Sequence, residues 1–225
     1  MSVCHARIIA IRPRLRFYLY GMKRPALRRR PPEGVVRPSE IEPAEPPAGA
    51  RVGVRVLARE DRQEFLALAR QSHRLHRPWT YPPERADQFD ELYSRSRRED
   101  FLCLVSYRLD TGAITGVFTI SQIVRGAFQS AYLGYYAHEA HARQGFMSEA
   151  IDQVLDHSFS SLGLHRIEAN IQPGNAPSIA LARGAGFRLE GFSPRYLLIG
   201  GQWRDHERYA ITADEWATMR ASEAA

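Results

Sequence analysis

Residues 142–147, Ala-Arg-Gln-Gly-Phe-Met, separate an apolar run at 130–137 from an amphipathic run at 146–162, an order that dictates a strand, a glycine turn and a helix start. A helix beginning there directs unpaired backbone N–H groups and a partial positive charge over the turn. Gly145 removes the Cβ that would block close approach, so the fitting occupant is an anion such as a pyrophosphate. An ordinary strand-to-helix turn would carry the same glycine. The downstream order adds weight: Asn-Ile-Gln-Pro-Gly-Asn-Ala-Pro-Ser at 170–178, then Gly-Ala-Gly-Phe-Arg-Leu-Glu-Gly at 184–191.

Charge divides the chain in two. Residues 1–32 hold nine of the 31 basic residues (Arg7, Arg12, Arg14, Arg16, Lys23, Arg24, Arg28, Arg29, Arg30) and no acidic one, while the other 22 face all 25 Asp and Glu. The net charge of +6 therefore belongs to a tail, and the body is mildly acidic, a poor surface for a phosphate backbone. Eight prolines within residues 1–50 deny backbone donors, so that segment reads as a disordered, basic Pro/Arg-rich appendage to a domain at 51–225. Met22 is a possible alternative start, and an Arg-rich, acid-free beginning also resembles an organelle transit peptide. No uncharged apolar run approaches a membrane span, and Cys4 and Cys103 form neither a disulfide framework nor a metal spacing, which implies a cytoplasmic, reduced setting without a membrane partner.

From residue 51 the pattern is globular. Val52, Val54 and Val56 alternate as in a strand, Glu60-Asp61 opens a helix, and an aromatic loop at 77–83 precedes a second helix over 85–98. Runs at 101–108 and 114–123 meet at Asp110-Thr-Gly112, a hairpin signal. Strands are predicted at 130–137, 166–171, 187–196 and 206–212, with helices at 146–162, 178–185 and 214–221. Elements mixed in this way suit an α/β (α+β) fold with one central, mostly antiparallel mixed sheet and helices on both faces.

The order of turn, Asn-x-x-Ser and glycine-rich segment resembles the GNAT superfamily of N-acetyltransferases, in its RimJ/RimL-like branch, over residues 51–212. The resemblance implies a sheet splayed between two parallel strands, here 130–137 and 166–171, with acetyl-CoA entering the splay and no metal. It places the pyrophosphate on the backbone of Arg143, Gln144, Gly145 and Phe146. The chain departs from the family at Ala142, where Gln or Arg is usual, and at Met147, where a small residue is usual. Asn175 and Ser178 match the Asn-x-x-Ser whose amide contacts the pantetheine and whose hydroxyl lies by the thioester sulfur; the same pair would also serve as a helix cap. A thiol of pKa about 8.5 leaves nearly unaided, so Ser178 would assist more than it is required. Ala182 occupies the place of the tyrosine acid that some relatives use.

Glu168 resembles the glutamate that serves as general base in related N-terminal acetyltransferases; a salt bridge to Arg166 is the alternative. Tyr135 and Tyr136 face opposite sides of one strand, and the backbone amide around Tyr136 would be the oxyanion donor. Trp79 and Tyr81, with 195–196 and 203–207, would wall the acceptor entrance or simply close a core edge. His73, His76, His138, His141, His165 and His206 lack zinc spacing, and His138 and His141 read as a polar rim to the turn.

The activity implied is transfer of acetyl from acetyl-CoA to a primary amine. A protein N-terminal α-amine, as on a ribosomal protein, is the first reading; a small-molecule amine (antibiotic or metabolite) is the second. A third is a catalytically silent module held to RNA or the ribosome by the basic tail. Oligomeric state is not legible.

Overall fold

A computed structural model describes residues 37–223. The expectations placed on the basic tail, including its attraction to RNA, lie outside the described residues as far as residue 36. Residues 37–50 are part of the domain: Ser39 is buried, Ile41 packs on the core, and the Val56 N–H donates to Glu42 at 3.5 Å. The body thus begins before residue 51, because an apolar side chain and a carboxylate upstream of the first strand are used by it.

Seven strands form one sheet in the order β1-β2-β3-β4-β5-β7-β6. They are β1 (Val52–Val56), β2 (Phe101–Arg108), β3 (Ile114–Val124), β4 (Ser130–Ala137), β5 (Arg166–Ile171), β6 (Arg188–Ile199) and β7 (Gln202–Thr212). Every pairing is antiparallel except β4 with β5. The helices are α1 (Arg62–Gln71), α2 (His73–His76), α3 (Ala86–Arg95), α4 (Phe146–Asp156), α5 (Ala176–Gly184) and α6 (Ala213–Glu223).

The β2 strand is buried on both faces, which explains its unbroken apolar reading. Leu102 and Leu104 join the cluster that α4 covers with Ala150, Ile151, Val154 and Leu155. Phe101, Cys103 and Val105 join the opposite cluster with Phe65 and Ala69 of α1 and Phe89 of α3. The α4 helix passes into a π turn at His157–Ser161, so the amphipathic run to residue 162 is not one regular helix. The β6–β7 hairpin is longer than predicted at both inner ends and turns at Gly200-Gly201. A Cβ at Gly200 would overlap Tyr81, which brings the aromatic loop and this hairpin together.

The parallel ladder is short. It pairs Ser130 with Arg166, Ala131 with Ile167 and Tyr132 with Glu168, and then the strands part. This divergence sits directly above the turn into α4 and creates the cleft.

Candidate active site

The turn is held by its backbone. Gly145 is the N-cap of α4 at φ +83°, Arg143 also has positive φ at 62°, and no side chain caps the helix. The Ser148 and Glu149 N–H groups return to the Gly145 carbonyl at 3.0 and 3.2 Å, leaving those of Phe146 and Met147 as the outward donors of the first turn. Glu149, which would oppose an anion there, accepts from Arg51 Nε at 2.6 Å and from the Arg51 N–H at 3.1 Å. The Arg51 guanidinium also lies 5.0 Å from the Phe146 ring centroid, and that of Arg108 lies 5.6 Å from it. Met147 is accommodated because β3 offers Gly116 opposite it, where a Cβ would collide with the Met147 sulfur. The turn therefore fits a diphosphate, and the large residue at 147 is absorbed by packing.

A cavity of about 710 Å³ joins this turn to the splay and to the other face of the sheet. Arg143, Gly145, Phe146, Asn175, Ser178 and Tyr136 all line it. Asn175 Oδ1 accepts from the Ser178 N–H at 3.3 Å, so the amide caps α5. Ser178 is half-buried, and its carbonyl accepts from the Tyr135 hydroxyl at 2.7 Å. Burial pushes the Tyr135 and Tyr136 phenols well above their usual range, so neither is an anion at neutral pH.

Strand alternation locates the amides that face the cleft. The His138 N–H donates to Thr115 of the β3 segment at 3.0 Å, while the Ala137 carbonyl points away from β3 and accepts from His76 Nε2 at 2.8 Å. Residues 132, 134 and 136 thus turn their amides toward β3, and Leu133, Tyr135 and Ala137 turn theirs toward β5: that of Leu133 closes the last rung of the parallel ladder, and those of Tyr135 and Ala137 face the splay. The Tyr136 amide, expected as the oxyanion donor, is directed at β3, and the amides of its neighbours Tyr135 and Ala137 face the cleft. The Tyr136 side chain packs edge-on against His76, ring centroids 5.1 Å apart.

On the acceptor side, Trp79 and Tyr81 line the cavity as expected, with Leu197, Ile199 and His206 from the hairpin. The aromatic loop is docked by Gln172, whose amide donates to the Trp79 carbonyl at 3.0 Å. Burial lowers the His76 and His206 pKa values, so both rings are neutral at pH 7. With its Nε2 given to Ala137, His76 keeps Nδ1 as a buried acceptor without a partner. Among the described residues lining the cavity, none is Asp or Glu.

Three residues given a place in the site by the sequence do not line the cavity. Glu168 is not among the cavity residues; Arg166 Nε binds it at 2.9 Å, the alternative reading of that carboxylate. The Gln144 side chain turns back to donate to the Ala140 carbonyl at 3.0 Å and stays exposed, which leaves the role expected of its backbone untouched. His138 is fully buried, beside Phe65 and His76, and desolvation pushes its pKa down to about 3; it is a core residue and not a rim to the turn. Sequence reasoning missed Asn170, Arg95, Thr119 and Ser121, which line the cavity. Asn170 lies two residues from Glu168 on the same face of β5, and its buried Oδ1 has no partner; period-two alternation from Glu168 could have found it.

The acetyltransferase (GNAT) domain family matches residues 51–188. The chain is 42% identical over 98 residues to the probable N-acetyltransferase YjcK of Bacillus subtilis, covering 44% of this chain and 54% of that protein. It is 40% identical over 111 residues to the ribosomal protein uS5-alanine N-acetyltransferase of Escherichia coli, covering 49% and 57%. These matches span little more than half the length of the two curated relatives. Among solved structures, RimJ of Mycobacterium smegmatis in complex with CoA-disulfide superimposes with a TM-score of 0.69 at 30% identity, covering 81% of this chain and 94% of that one.

Proposed function

Since the chain belongs to the GNAT acetyltransferase family, we propose that it transfers acetyl from acetyl-CoA to the α-amine at a protein N-terminus. The observation that carries this reading is the make-up of the acceptor side: Trp79, Tyr81, Leu197 and Ile199 with Arg95, and no carboxylate among the described residues lining the cavity. Such a wall does not stabilise a bound ammonium. The amine must arrive neutral, and at pH 7 that costs about 1 kcal/mol for an α-amine but about 4.6 kcal/mol for a lysine-like amine. Polyamines and aminoglycosides, which carry several such cations, fit it least.

Acetyl-CoA, when bound, supplies a thioester open to attack by that neutral amine. The N–H groups of Phe146 and Met147, with the Arg143 backbone, would hold its diphosphate at the positive end of α4. The splay-facing amides of Tyr135 and Ala137 offer donors both to a strand-like arm and to charge that develops on the carbonyl oxygen. Ser178 stands on the sulfur side, held through its carbonyl by Tyr135. Water removes the proton from the amine, as Glu168 is engaged by Arg166.

The test is a competition among an Ala-initiated peptide, the same peptide N-terminally blocked with an internal lysine, spermidine and an aminoglycoside, read by mass spectrometry. The first is acetylated at least tenfold faster than the others. Preferential acetylation of a small polyamine would overturn the assignment.

A further inference from the structure

Two arginines line the cavity. Arg143 belongs to the turn before α4, whereas Arg95 ends α3 on the acceptor side. Arg62, Arg85 and Arg98, on or near the same stretch of chain, each hold an aspartate. Arg95 does not: among the described residues its contact is with the Phe101 ring, 4.3 Å from guanidinium carbon to centroid. Stacking fixes the guanidinium plane and leaves its N–H edge for a bidentate acceptor.

From this we infer that Arg95 is a specificity residue that selects acceptor peptides with an acidic side chain near the amine. The inference rests on the N-terminal acceptor reading and adds the chemistry of the residues that follow.

The path between Arg95 and the splay is flat and polar. Thr119 and Ser121 of β3 line it together with Gly134 of β4, where a Cβ would come within 2.8 Å of Thr119 Oγ1. Register sets the distance. Phe101 pairs with Ser121 and Ser121 with Tyr132, the last β4 residue before the strands part. Phe101 is therefore two strands from β4, about 10 Å. An extended peptide advances about 3.3 Å per residue, so the carboxylate of a third or fourth residue reaches Arg95 while the amine is at the splay. An acidic side chain on that path meets no carboxylate among the described lining residues, and a lysine is opposed by Arg95.

The experiment uses the full chain, acetyl-CoA and Ala-initiated decapeptides identical except for Asp, Asn or Lys at position three or four. Asp is preferred over Asn by about tenfold in kcat/KM, carried by KM and reduced at high salt. Arg95→Met brings the ratio close to one, and Arg95→Glu moves the preference to Lys. Arg74→Met, which alters an exposed arginine outside the cavity, keeps the wild-type ratio. Peptides acetylated without an Asp preference, or a preference that survives Arg95→Met, would overturn the role of Arg95 and leave the N-terminal activity standing. If no peptide is acetylated and a small amine is, the acceptor reading itself falls.

Discussion

The Tyr135 hydroxyl donates to the Ser178 carbonyl at 2.7 Å, tying β4 to the start of α5 across the place where β4 and β5 have already parted. Nothing else about Ser178 needs the phenol, so its removal tests how far the width of the cleft is set by that one bond. Tyr135→Phe leaves the carbonyl without its donor and lowers stability by about 1–2 kcal/mol. The larger effect is on kcat, which falls more than in Ser178→Ala, because the thiol leaves readily without help. Equal kcat for Tyr135→Phe and wild type would show that the bond does not hold the cleft.

Gly145→Val places a branched side chain at a φ of +83°, where its Cβ would stand 2.9 Å from Arg51 Nη2. The left-handed conformation alone costs about 1–2 kcal/mol for an L-residue. The turn yields first, and the acetyl-CoA KM rises by about tenfold or more while peptide KM changes little. Titration calorimetry with CoA checks it; unchanged affinity removes the turn from the donor site.

The proton balance is separable from folding through Glu168. If water accepts the proton, the rate at subsaturating peptide climbs with pH up to about 8, following the amine, and Glu168→Gln keeps that profile. A selective loss at pH 6.5 that recovers by pH 9 would restore Glu168 as the base.

Buried imidazoles contribute to the loss of stability in acid. Desolvation lowers the pKa of His138 to about 3 and of His157 to about 4, both below the unfolded value. Their folded-state pKa values are depressed, so the unfolded chain binds the extra protons: their contribution is complete above about pH 6.5 and declines as pH falls toward 4 and 3. Each histidine then costs roughly 2 kcal/mol at pH 5. His138→Leu makes the decline of Tm between pH 7.5 and 5 shallower, whatever its effect on absolute Tm. An unchanged slope would mean that His138 is not neutral in the folded protein.

The start of the domain is testable by truncation. A chain beginning at Arg37 keeps Ile41 on the core and Glu42 on Val56, and it matches the full chain in Tm. A chain beginning at Arg51 loses both and melts several degrees lower. Equal Tm values would put the boundary at residue 50.

The splayed mixed sheet was legible because its punctuation is local: Asp110-Thr-Gly112 for one hairpin, Gly145 for the turn, Pro177 for the start of α5. The β6–β7 hairpin was cut short because its strand is exposed on both sides over much of its length and carries no period-two pattern to extend. Residues 37–50 were hidden by their prolines, although Ile41 uses the core. In the site, Gly145 could be read from its turn, and Asn175 and Ser178 from the family resemblance; all three line the cavity. Arg95 and Asn170 could not, since their meaning lies in which strands are neighbours and which carboxylates are already engaged. Glu168 shows the same limit: two residues separate it from Arg166, and only the side-chain geometry decides that they bind each other.

With three paired residues between β4 and β5, the sheet is a four-strand half and a three-strand half joined at a narrow seam. The Tyr135 bond is a brace across it. The seam makes hydrogen exchange a reporter of the donor site. The amides of Tyr135 and Ala137 exchange faster than those of 132, 134 and 136 in the free protein, and they become protected when CoA lies between the halves.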